Sequence, residues 1–166
     1  VPSGDDLARA RPQAMVGGAG DDLLVGGGGG DSFRGGSGND TLAISDTNFD
    51  RIDGGTGVDI LRLDGNFALD LTTLAPMNIS GIEKISITGS GDNSLTLGLR
   101  DVFELPDTTN QLLIDGDAGD AVTASGGTFV SGGTQVIGGN TYNKYSSGNA
   151  TLLVDTDITT QTISGI

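Results

Sequence analysis

Cysteine, histidine and tryptophan are absent from this chain of 166 residues. Without cysteine there are no disulfides and no thiolate ligands, and without histidine there is no imidazole for metal binding or general-base catalysis. Aromatic residues make up only 4% of the sequence, which argues against a large globular core. No apolar run approaches the length of a transmembrane helix. A thin, repetitive core of aliphatic side chains suits this composition better.

Basic residues are also scarce. The chain has 8 Lys and Arg against 22 Asp and Glu, which gives a formal net charge of −14 at pH 7. This balance opposes binding to nucleic acid and to anionic membrane surfaces, so we expect no nucleic-acid partner and no membrane insertion by this segment. Repulsion among the carboxylates also predicts that the acidic repeats are disordered until a cation neutralises them.

Glycine, by contrast, is abundant, and it recurs in three tandem nine-residue units from Gly17 to Ala43. The units read GGAGDDLLV, GGGGGDSFR and GGSGNDTLA, and a fourth copy, GGTGVDILR, occupies residues 54–62. All fit G-G-x-G-x-D-x-U-x, where U is a large apolar residue, which is the calcium-binding nonapeptide of parallel β-rolls. A flexible glycine-rich linker would not repeat an apolar residue in phase with aspartate. The predicted fold class is therefore all-β, a parallel β-roll or β-solenoid followed by a β-rich C-terminal extension or cap.

A degenerate copy separates the third unit from the fourth, and its turn runs from Ser45 to Asp50. One aspartate closes each of the five turns, and the apolar U residue follows two positions later. The aspartates are nine residues apart except for one step of ten before Asp50. They are Asp22, Asp31, Asp40, Asp50 and Asp59, with U residues Leu24, Phe33, Leu42, Ile52 and Leu61.

Two nonapeptides make one coil, so alternate turns are expected to stack along the same edge. This places Asp22, Asp40 and Asp59 on one edge and Asp31 and Asp50 on the other. A hard cation between stacked turns would take carboxylates from successive coils and backbone carbonyls of the glycine turns, and oxygen-only ligation selects calcium over zinc or copper. The stacking predicts about three or more calcium ions. The other turn residues predicted at these sites are Gly18, Gly20, Gly27, Gly29, Gly35, Gly36, Ser37 and Gly38.

Four other acidic residues are weaker candidates for metal binding. Asp46 lies at the rim of the degenerate turn and is either a ligand or exposed. Asp115, Asp117 and Asp120 belong to a second acidic, glycine-rich turn, which fits either another calcium site or a solvated loop. No serine sits in a Gly-x-Ser-x-Gly elbow, and no glycine run carries the lysine of a phosphate loop. We therefore expect that the protein is not an enzyme.

Three regions are expected along the sequence: a linker or fragment boundary over residues 1–15, the nonapeptide β-roll over 16–64, and the extension or cap over 65–166. The last region contains short apolar segments separated by Gly, Asn and Asp, which is typical of strands and turns. The predicted elements within it are a short helix over Arg100–Leu105 ended by Pro106, a hairpin of Thr134–Ile137 and Thr141–Ser146, and a last strand over Thr151–Val154.

The nonapeptides resemble the repeats-in-toxin (RTX) family, and further segments resemble the extreme C-terminal region of giant bacterial RTX adhesins. These segments are FDRIDGGTGVDIL from Phe49, NISGIEKI from Asn78, LIDGDAGD from Leu113 and GNATLLVD from Gly148. The resemblance covers roughly residues 16–158. It implies a biofilm and surface-attachment protein of a Gram-negative bacterium, exported by type I secretion and located outside the cell.

The resemblance also implies a mechanism. In type I export the polypeptide passes through the channel unfolded, with its C-terminus first, and its uncleaved signal is expected at about residues 146–166. Calcium near the roughly 10⁻⁴–10⁻³ M level of extracellular modules would then drive folding outside the cell. The expected partners are calcium and the type I secretion machinery, and the expected state is a monomer within a longer protein. The alternatives are an ice- or glycan-recognition module and the C-terminal RTX domain of a secreted lipase or protease.

Overall fold

A computed structural model describes residues 11–74 and 78–165 of the protein. Within these ranges the backbone winds as a β-solenoid of short strands, with a 3₁₀ turn at Leu71–Thr73 and one short α-helix, α1 (Leu99–Glu104). The all-β fold class is thereby confirmed. In sequence order the strands are β1 (Ala14–Ala19), β2 (Leu23–Val25), β3 (Asp31–Ser37), β4 (Thr41–Ile44), β5 (Phe49–Thr56), β6 (Ile60–Leu63), β7 (Ala68–Asp70), β8 (Ile79–Ser80), β9 (Lys84–Ser86), β10 (Ser94–Gly98), β11 (Gln111–Asp115), β12 (Ala121–Ser125), β13 (Val130–Ile137), β14 (Asn140–Ser147), β15 (Ala150–Asp155) and β16 (Thr160–Ile163).

The strands form three sheets. The repeat sheet has the order β1-β3-β5-β8, and the distal sheet has the order β16-β12-β10-β7. The common sheet has eight strands in the order β13-β14-β15-β11-β9-β6-β4-β2, parallel from β15 to β2. The early coils alternate between the repeat and common sheets, and the later coils between the common and distal sheets. Because β6 pairs with β9, the common sheet continues without a break across the expected boundary at residue 64.

The core consists of columns of apolar side chains, to which each strand of a coil contributes one or more residues. In the repeat sheet Phe33 pairs with Met15 and Ile52, and Ile52 pairs with Ile79. All five predicted U residues are buried. Three-residue strands can therefore hold together because each adds one apolar side chain to a continuous column. The column in the common sheet consists of Leu24, Leu42, Leu61, Ile85, Ile114 and Val154.

The helix, the hairpin and the strand predicted in the C-terminal region are all present, but a further strand follows them. Helix α1 begins where the Asp101 carboxylate accepts a hydrogen bond from the Gly98 N–H at 2.7 Å, and it ends just before Pro106. Strands β13 and β14 form the predicted antiparallel hairpin. β15 contains the predicted strand and lies between β14 and β11, but it is not the last strand, because β16 follows it and pairs with β12. No helix in the described ranges is long and apolar enough to cross a membrane. Of the expected linker, residues 1–10 lie outside the described residues, and β1 already begins at Ala14.

Candidate metal centre

The nonapeptide turns stack closely because glycine occupies the points where neighbouring coils meet. Gly36 pairs with Gly18 of the preceding coil and with Gly55 of the following one. Its φ of 122° lies in the region that favours glycine. A Cβ atom on Gly36 would lie 2.9 Å from the carbonyl carbon of Gly18. Glycine is thus required here both for its backbone angle and for its lack of a side chain.

Three aspartates form a ladder along the edge where the backbone passes from the repeat sheet to the common sheet. The N–H of Asp22 donates to Oδ1 of Asp40 at 2.8 Å, and the N–H of Asp40 donates to Oδ1 of Asp59 at 2.7 Å. Asp40 and Asp59 are both 0% exposed. We call Asp22, Asp40 and Asp59 the aspartate ladder. The structure therefore brings together the three aspartates that the sequence places on one edge.

The second carboxylate oxygen of each ladder residue has no partner. Oδ2 of Asp22, Asp40 and Asp59 is buried and accepts no hydrogen bond. Leaving a buried acceptor unpaired costs about 1–3 kcal/mol, and more when the group is charged. The ion pairs among the described residues involve other acidic residues. The three unpaired oxygens therefore mark positions that a cation from solution would fill.

Backbone carbonyl oxygens converge on the same positions. A Cβ atom on Gly17 would lie 2.7 Å from both Asp22 Oδ2 and the carbonyl oxygen of Gly35. A Cβ atom on Gly35 would meet Asp40 Oδ2 and the carbonyl oxygen of Gly54 in the same way. Each of these glycines thus leaves open a small space beside an unpaired carboxylate oxygen and a carbonyl of the next coil.

This set of oxygens fits calcium. Within residues 11–74 and 78–165, no three acidic side chains converge on a single point, so carboxylates alone could not complete a coordination shell. Calcium takes six to eight oxygen ligands in flexible geometry, with backbone carbonyls among them, whereas magnesium demands near-ideal octahedral geometry and retains several waters. One carboxylate oxygen supplemented by backbone carbonyls is a calcium-like arrangement.

The last residue of the ladder, Asp59, is in an environment that disfavours its ionised form. Burial raises the pKa of Asp59 above its ordinary value of 3.8, although the hydrogen bond from the Asp40 N–H acts in the opposite direction. Burial also raises the pKa of Glu83, the residue next to the ladder in the stack. A raised carboxyl pKa means that the fold disfavours the ionised form. A divalent cation would reverse this preference because it binds the ionised carboxylate.

The opposite edge is less regular than the ladder. Asp31 is buried, and its Oδ1 accepts a hydrogen bond from the N–H of Gln13 at 3.0 Å. A cavity of about 10 Å³ lies beside it, lined also by Asp46 and Asn48 of the degenerate turn. Asp46 itself is exposed and accepts the Asn48 N–H through Oδ1 at 2.8 Å. On this edge the degenerate turn therefore brings Asp46 to the side of Asp31.

Asp50 does not line that cavity, although its carboxylate lies beside Gly30, where a Cβ atom would be 3.4 Å from Asp50 Oδ1. In the pairing of β3 with β5, Asp31 faces Phe49 and Ser32 faces Arg51, so Asp50 is skipped as a bulge and is exposed. The step of ten residues in the sequence is this inserted residue. Sequence spacing alone placed Asp50 opposite Asp31, whereas the structure does not bring their carboxylates to a common position in the lining of the cavity.

The other predicted turn residues surround the two edges in different ways. The Ser37 carbonyl accepts the Gly20 N–H at 2.8 Å, and the Gly29 carbonyl accepts the Asp31 N–H at 2.8 Å. A carbonyl oxygen has two lone pairs, so each could still bind a cation. Gly27 is exposed. The residues that line the close contacts between turns are Gly18, Gly20, Gly35, Gly36 and Gly38.

The acidic turn after β11 differs from the ladder because its carboxylates are already engaged. Asp115 pairs with Lys84 and accepts the Tyr142 hydroxyl at 2.6 Å. Asp120 accepts the Asn93 N–H through Oδ1 and the Asp117 N–H through Oδ2, both at 2.8 Å. Asp117 is exposed. These three residues lack the unpaired buried oxygen that distinguishes the ladder.

Two site residues, Glu83 and Asn93, were missed by the nonapeptide pattern. Oε2 of Glu83 accepts the Asp59 N–H at 2.8 Å and so extends the ladder by one turn. Asn93 accepts the Phe67 N–H through Oδ1 at 3.0 Å, in the same kind of contact. Both lie two positions before a buried apolar residue, as the repeat aspartates do. That remnant of the repeat, with a glycine two positions earlier at Gly81 and Gly91, was the signal in the sequence.

Comparison with known proteins agrees with this geometry. Residues 14–42 match the protein-family model of the RTX calcium-binding nonapeptide repeat (4 copies). This segment is an RTX-type calcium-binding region. Neither the curated proteins nor the solved structures contain a significant match to the sequence. The RTX match includes Asp22, Asp31 and Asp40, while the stacking of coils continues beyond it to Asp59 and Glu83.

Proposed function

We propose that this protein is a calcium-dependent folding and export module of a large extracellular RTX adhesin of a Gram-negative bacterium, involved in surface attachment and biofilm. The observation that carries the calcium part is the row of three buried, unpaired Oδ2 atoms in the aspartate ladder. A fold that buries carboxylate oxygens without partners is incomplete until a cation binds. In this proposal calcium completes it.

Calcium then acts as a switch for folding. With a net charge of −14 and short strands, the repeats bury little apolar surface against considerable charge repulsion. Binding a cation to the folded state alone adds its binding free energy to the free energy of unfolding. Low cytosolic calcium keeps the polypeptide unfolded for export, and extracellular calcium folds it.

In this proposal the type I export signal lies at about residues 146–166. In the folded protein part of this segment is β15, which lies between β11 and β14 with Leu152, Leu153 and Val154 fully buried. An exporter could read these residues only in the unfolded polypeptide. This burial supports a mechanism in which recognition precedes folding.

The adhesin assignment draws on the segments that resemble adhesin C-terminal regions. The segments from Asn78, Leu113 and Gly148 supply β9, β11 and β15, which are consecutive neighbours in the common sheet. The occurrence of three of these segments in neighbouring strands supports a single shared architecture. In this proposal the module is a monomeric, non-catalytic part of a longer protein, and its partners are calcium and the type I secretion machinery.

A calcium titration followed by circular dichroism tests the folding switch. We expect a cooperative gain of β-structure at millimolar calcium, and magnesium at the same concentrations is the control because it fits the site poorly. A protein whose β-structure is complete in chelator and unchanged by calcium would contradict the proposal.

An export assay tests the second part. In cells that carry a type I exporter, the whole protein and the same protein without residues 146–166 would each be fused behind a reporter domain. We expect the reporter in the medium only with the whole protein. Equal export of both fusions would show that the signal does not lie in this segment.

A further inference from the structure

A cavity of about 340 Å³ lies on the repeat sheet, and none of the five turn aspartates lines it. Its lining comes from β1, β3 and β5. In these strands Met15, Phe33 and Ile52 pack into the core, so the residues on either side of them point outward, because the side chains of a strand alternate between two faces. The cavity is therefore a groove on the outer face of the sheet. We call it the outer groove.

The outward residues form two rows across the three strands. Neighbouring strands lie about 4.8 Å apart, so the side chains within a row are close neighbours. On β1 the groove is apolar, with Val16 70% exposed, and on β5 it is charged. The rows are Ala14–Ser32–Arg51 and Val16–Arg34–Asp53. A ligand in the groove would thus meet an apolar wall on one side and a charged wall on the other.

The charged wall has an excess of one positive charge, because it holds two guanidinium groups, Arg34 and Arg51, and one carboxylate, Asp53. Arg51 donates from Nη2 to Asp53 Oδ2 at 3.1 Å. Arg34 is exposed and forms no ion pair with any residue in 11–74 or 78–165. In a protein with 22 acidic and 8 basic residues, this local excess of basic side chains favours a ligand with a single negative charge.

The chemistry of the walls indicates the class of ligand. The planar fork of a guanidinium group matches a carboxylate, and two such groups can hold one carboxylate from two sides. A doubly charged phosphate monoester would instead place uncompensated charge beside Asp53. The Ser32 hydroxyl can hydrogen-bond to a hydroxyl group, and Ala14 and Val16 can contact the C–H face of a ring. A sugar ring with one carboxylate, a uronic acid, combines these features.

The size of the groove and the range of the electrostatic field agree with such a ligand. Pockets for small molecules have volumes of roughly 300–1,000 Å³, and the outer groove lies at the lower end of this range. The negative charge of the rest of the protein acts weakly on a ligand held against two guanidinium groups, since salt screens exposed charges beyond about 8 Å.

We propose that the outer groove binds the uronic-acid unit of an acidic saccharide, with the carboxylate held by Arg34 and Arg51 and the ring against Ala14 and Val16. This inference goes beyond the proposed function, because it gives the repeats a ligand other than calcium. The groove crosses strands of three coils, so it exists only when the coils are stacked. The calcium-loaded protein is therefore the form to test.

An NMR titration of the calcium-loaded protein tests the binding. The probes are galacturonate and trigalacturonate, and the controls are their neutral methyl esters at the same concentrations. We expect both acids to shift the backbone amide signals of residues 14–16 and 32–34, and the esters to leave them unchanged. Binding of trigalacturonate alone would also support the proposal and would identify a polymer as the source of the unit. Equal binding of the esters, or no binding of either acid, would overturn it.

Two substitutions change the charge of the groove in opposite directions. Arg34→Gln should weaken the affinity for trigalacturonate about tenfold, because the ligand loses charge-assisted hydrogen bonds. Asp53→Asn should strengthen the affinity, since it releases Arg51 and removes a carboxylate that repels the ligand. The matched control is Arg100→Gln, at an exposed arginine of α1 that pairs with Glu104, and it should have native affinity. Equal affinities of Arg34→Gln and Arg100→Gln, or weaker binding by Asp53→Asn, would contradict the proposed contacts.

Circular dichroism of the same samples, with and without calcium, separates this inference from the proposed function. A native protein that folds on addition of calcium and binds neither acid would overturn the outer groove as a saccharide site and leave the folding switch intact. A native protein that is fully folded in chelator and binds the acids would overturn the folding switch alone.

Discussion

Asp40 is the central residue of the aspartate ladder. Its Oδ1 accepts the Asp22 N–H, its own N–H donates to Asp59, and its Oδ2 is one of the three unpaired oxygens. A single side chain therefore braces one turn and offers an oxygen to a cation. Loss of that side chain removes both contributions.

Asp40→Ala should destabilise the calcium-loaded protein by about 2 kcal/mol or more, because a hydrogen bond to a charged acceptor contributes about 1.5–3 kcal/mol before any loss of metal binding is counted. It should also lower the number of bound calcium ions. Urea unfolding at saturating calcium and equilibrium dialysis measure the two effects. The exposed Asp157, changed to Ala, is the control and should shift stability by no more than about 0.5 kcal/mol. Unchanged ion count in Asp40→Ala would mean that the stacking register is not as described.

For individual residues, the sequence correctly predicted burial and stacking where the repeat was regular. The burial of Phe33 and Leu42 followed from their phase, and so did the stacking of Asp22 on Asp40. It did not foresee the bulge at Asp50, because an inserted residue can be placed inside the strand or in the turn with the same spacing. Glu83 was missed for a similar reason: the step from Asp59 is 24 residues, not 18 or 19, so periodicity gave no register.

At the level of the strand, each short element depends on a single buried side chain. β2 and β4 pair in parallel, with Leu24 opposite Leu42, and Leu42 in turn faces Leu61. A strand of three or four residues has few hydrogen bonds of its own. Its place in the solenoid is therefore set mainly by the apolar column.

Leu42→Ala should cost about 2–5 kcal/mol, the range for a buried leucine whose removal leaves a cavity. The control is Leu23→Ala, a residue of the same type on the neighbouring strand that is 61% exposed, compared with 0% for Leu42. Chemical unfolding at fixed, saturating calcium would compare the two. Similar losses in both variants would indicate that the column does not determine stability.

In one of the later coils, a side-chain amide occupies the position that an aspartate holds in the ladder. Asn93 donates from Nδ2 to the carbonyl oxygens of Ile87 at 3.0 Å and Gly91 at 3.4 Å, while its Oδ1 accepts the Phe67 N–H. Carbonyls that would need a cation in the ladder here receive amide hydrogens. The common sheet thus joins turns with unpaired carboxylate oxygens to a turn whose side-chain amide is hydrogen-bonded.

Asn93→Asp should make this turn resemble the ladder. The substitution removes both donated hydrogen bonds and places a carboxylate beside two carbonyls, so stability in chelator should fall by about 1–3 kcal/mol. Calcium should recover part of the loss. Unfolding curves of native and variant protein, each with and without calcium, measure this, and Asn149→Asp at an exposed turn controls for the added charge. A loss that calcium leaves unchanged would contradict the analogy between the two kinds of turn.

Across the whole molecule, several buried carboxyl groups share the same pKa direction. Burial raises the pKa of Asp120 and of Asp155 above the ordinary 3.8, as it does for Asp59 and Glu83. A carboxyl group whose pKa is raised by folding contributes stability below the unfolded pKa and loses it as pH rises through the folded pKa. The net charge of −14 at pH 7 adds repulsion in the same direction.

In calcium-free buffer the free energy of unfolding should therefore decrease as pH rises from about 4 towards 7, the window above the unfolded carboxyl pKa. Calcium should change this trend because it binds ionised carboxylates, so its affinity should be higher at pH 7 than at pH 5. Urea unfolding across this range tests both statements, and Asp155→Asn should show a shallower calcium-free slope. Stability that rises with pH in the absence of calcium would contradict the pKa directions.

The sequence did not predict the arrangement of the strands in three sheets. Segments such as Leu95–Leu97 and Val122–Ala124 are plainly strands, but which sheet each joins depends on loops whose lengths follow no period. The common sheet was implicit in the repeats, whereas the distal sheet arises only from long-range pairing of β7, β10, β12 and β16.

The hydrogen bonds of the ladder all run in one direction. Each donor N–H belongs to the earlier turn, and each acceptor side chain belongs to the turn that follows it in sequence: Asp22 on Asp40, Asp40 on Asp59, and Asp59 on Glu83. These side-chain hydrogen bonds therefore give the stack of turns a direction. In these side-chain contacts, a polypeptide that emerges with its last residues first presents the acceptor to the next arriving turn, whereas backbone bonds such as that from the Thr41 N–H to the Asp22 carbonyl run the other way. If folding proceeds from the C-terminus towards the N-terminus, each new turn would form hydrogen bonds to a turn that has already folded, and these bonds would oppose backward movement of the polypeptide.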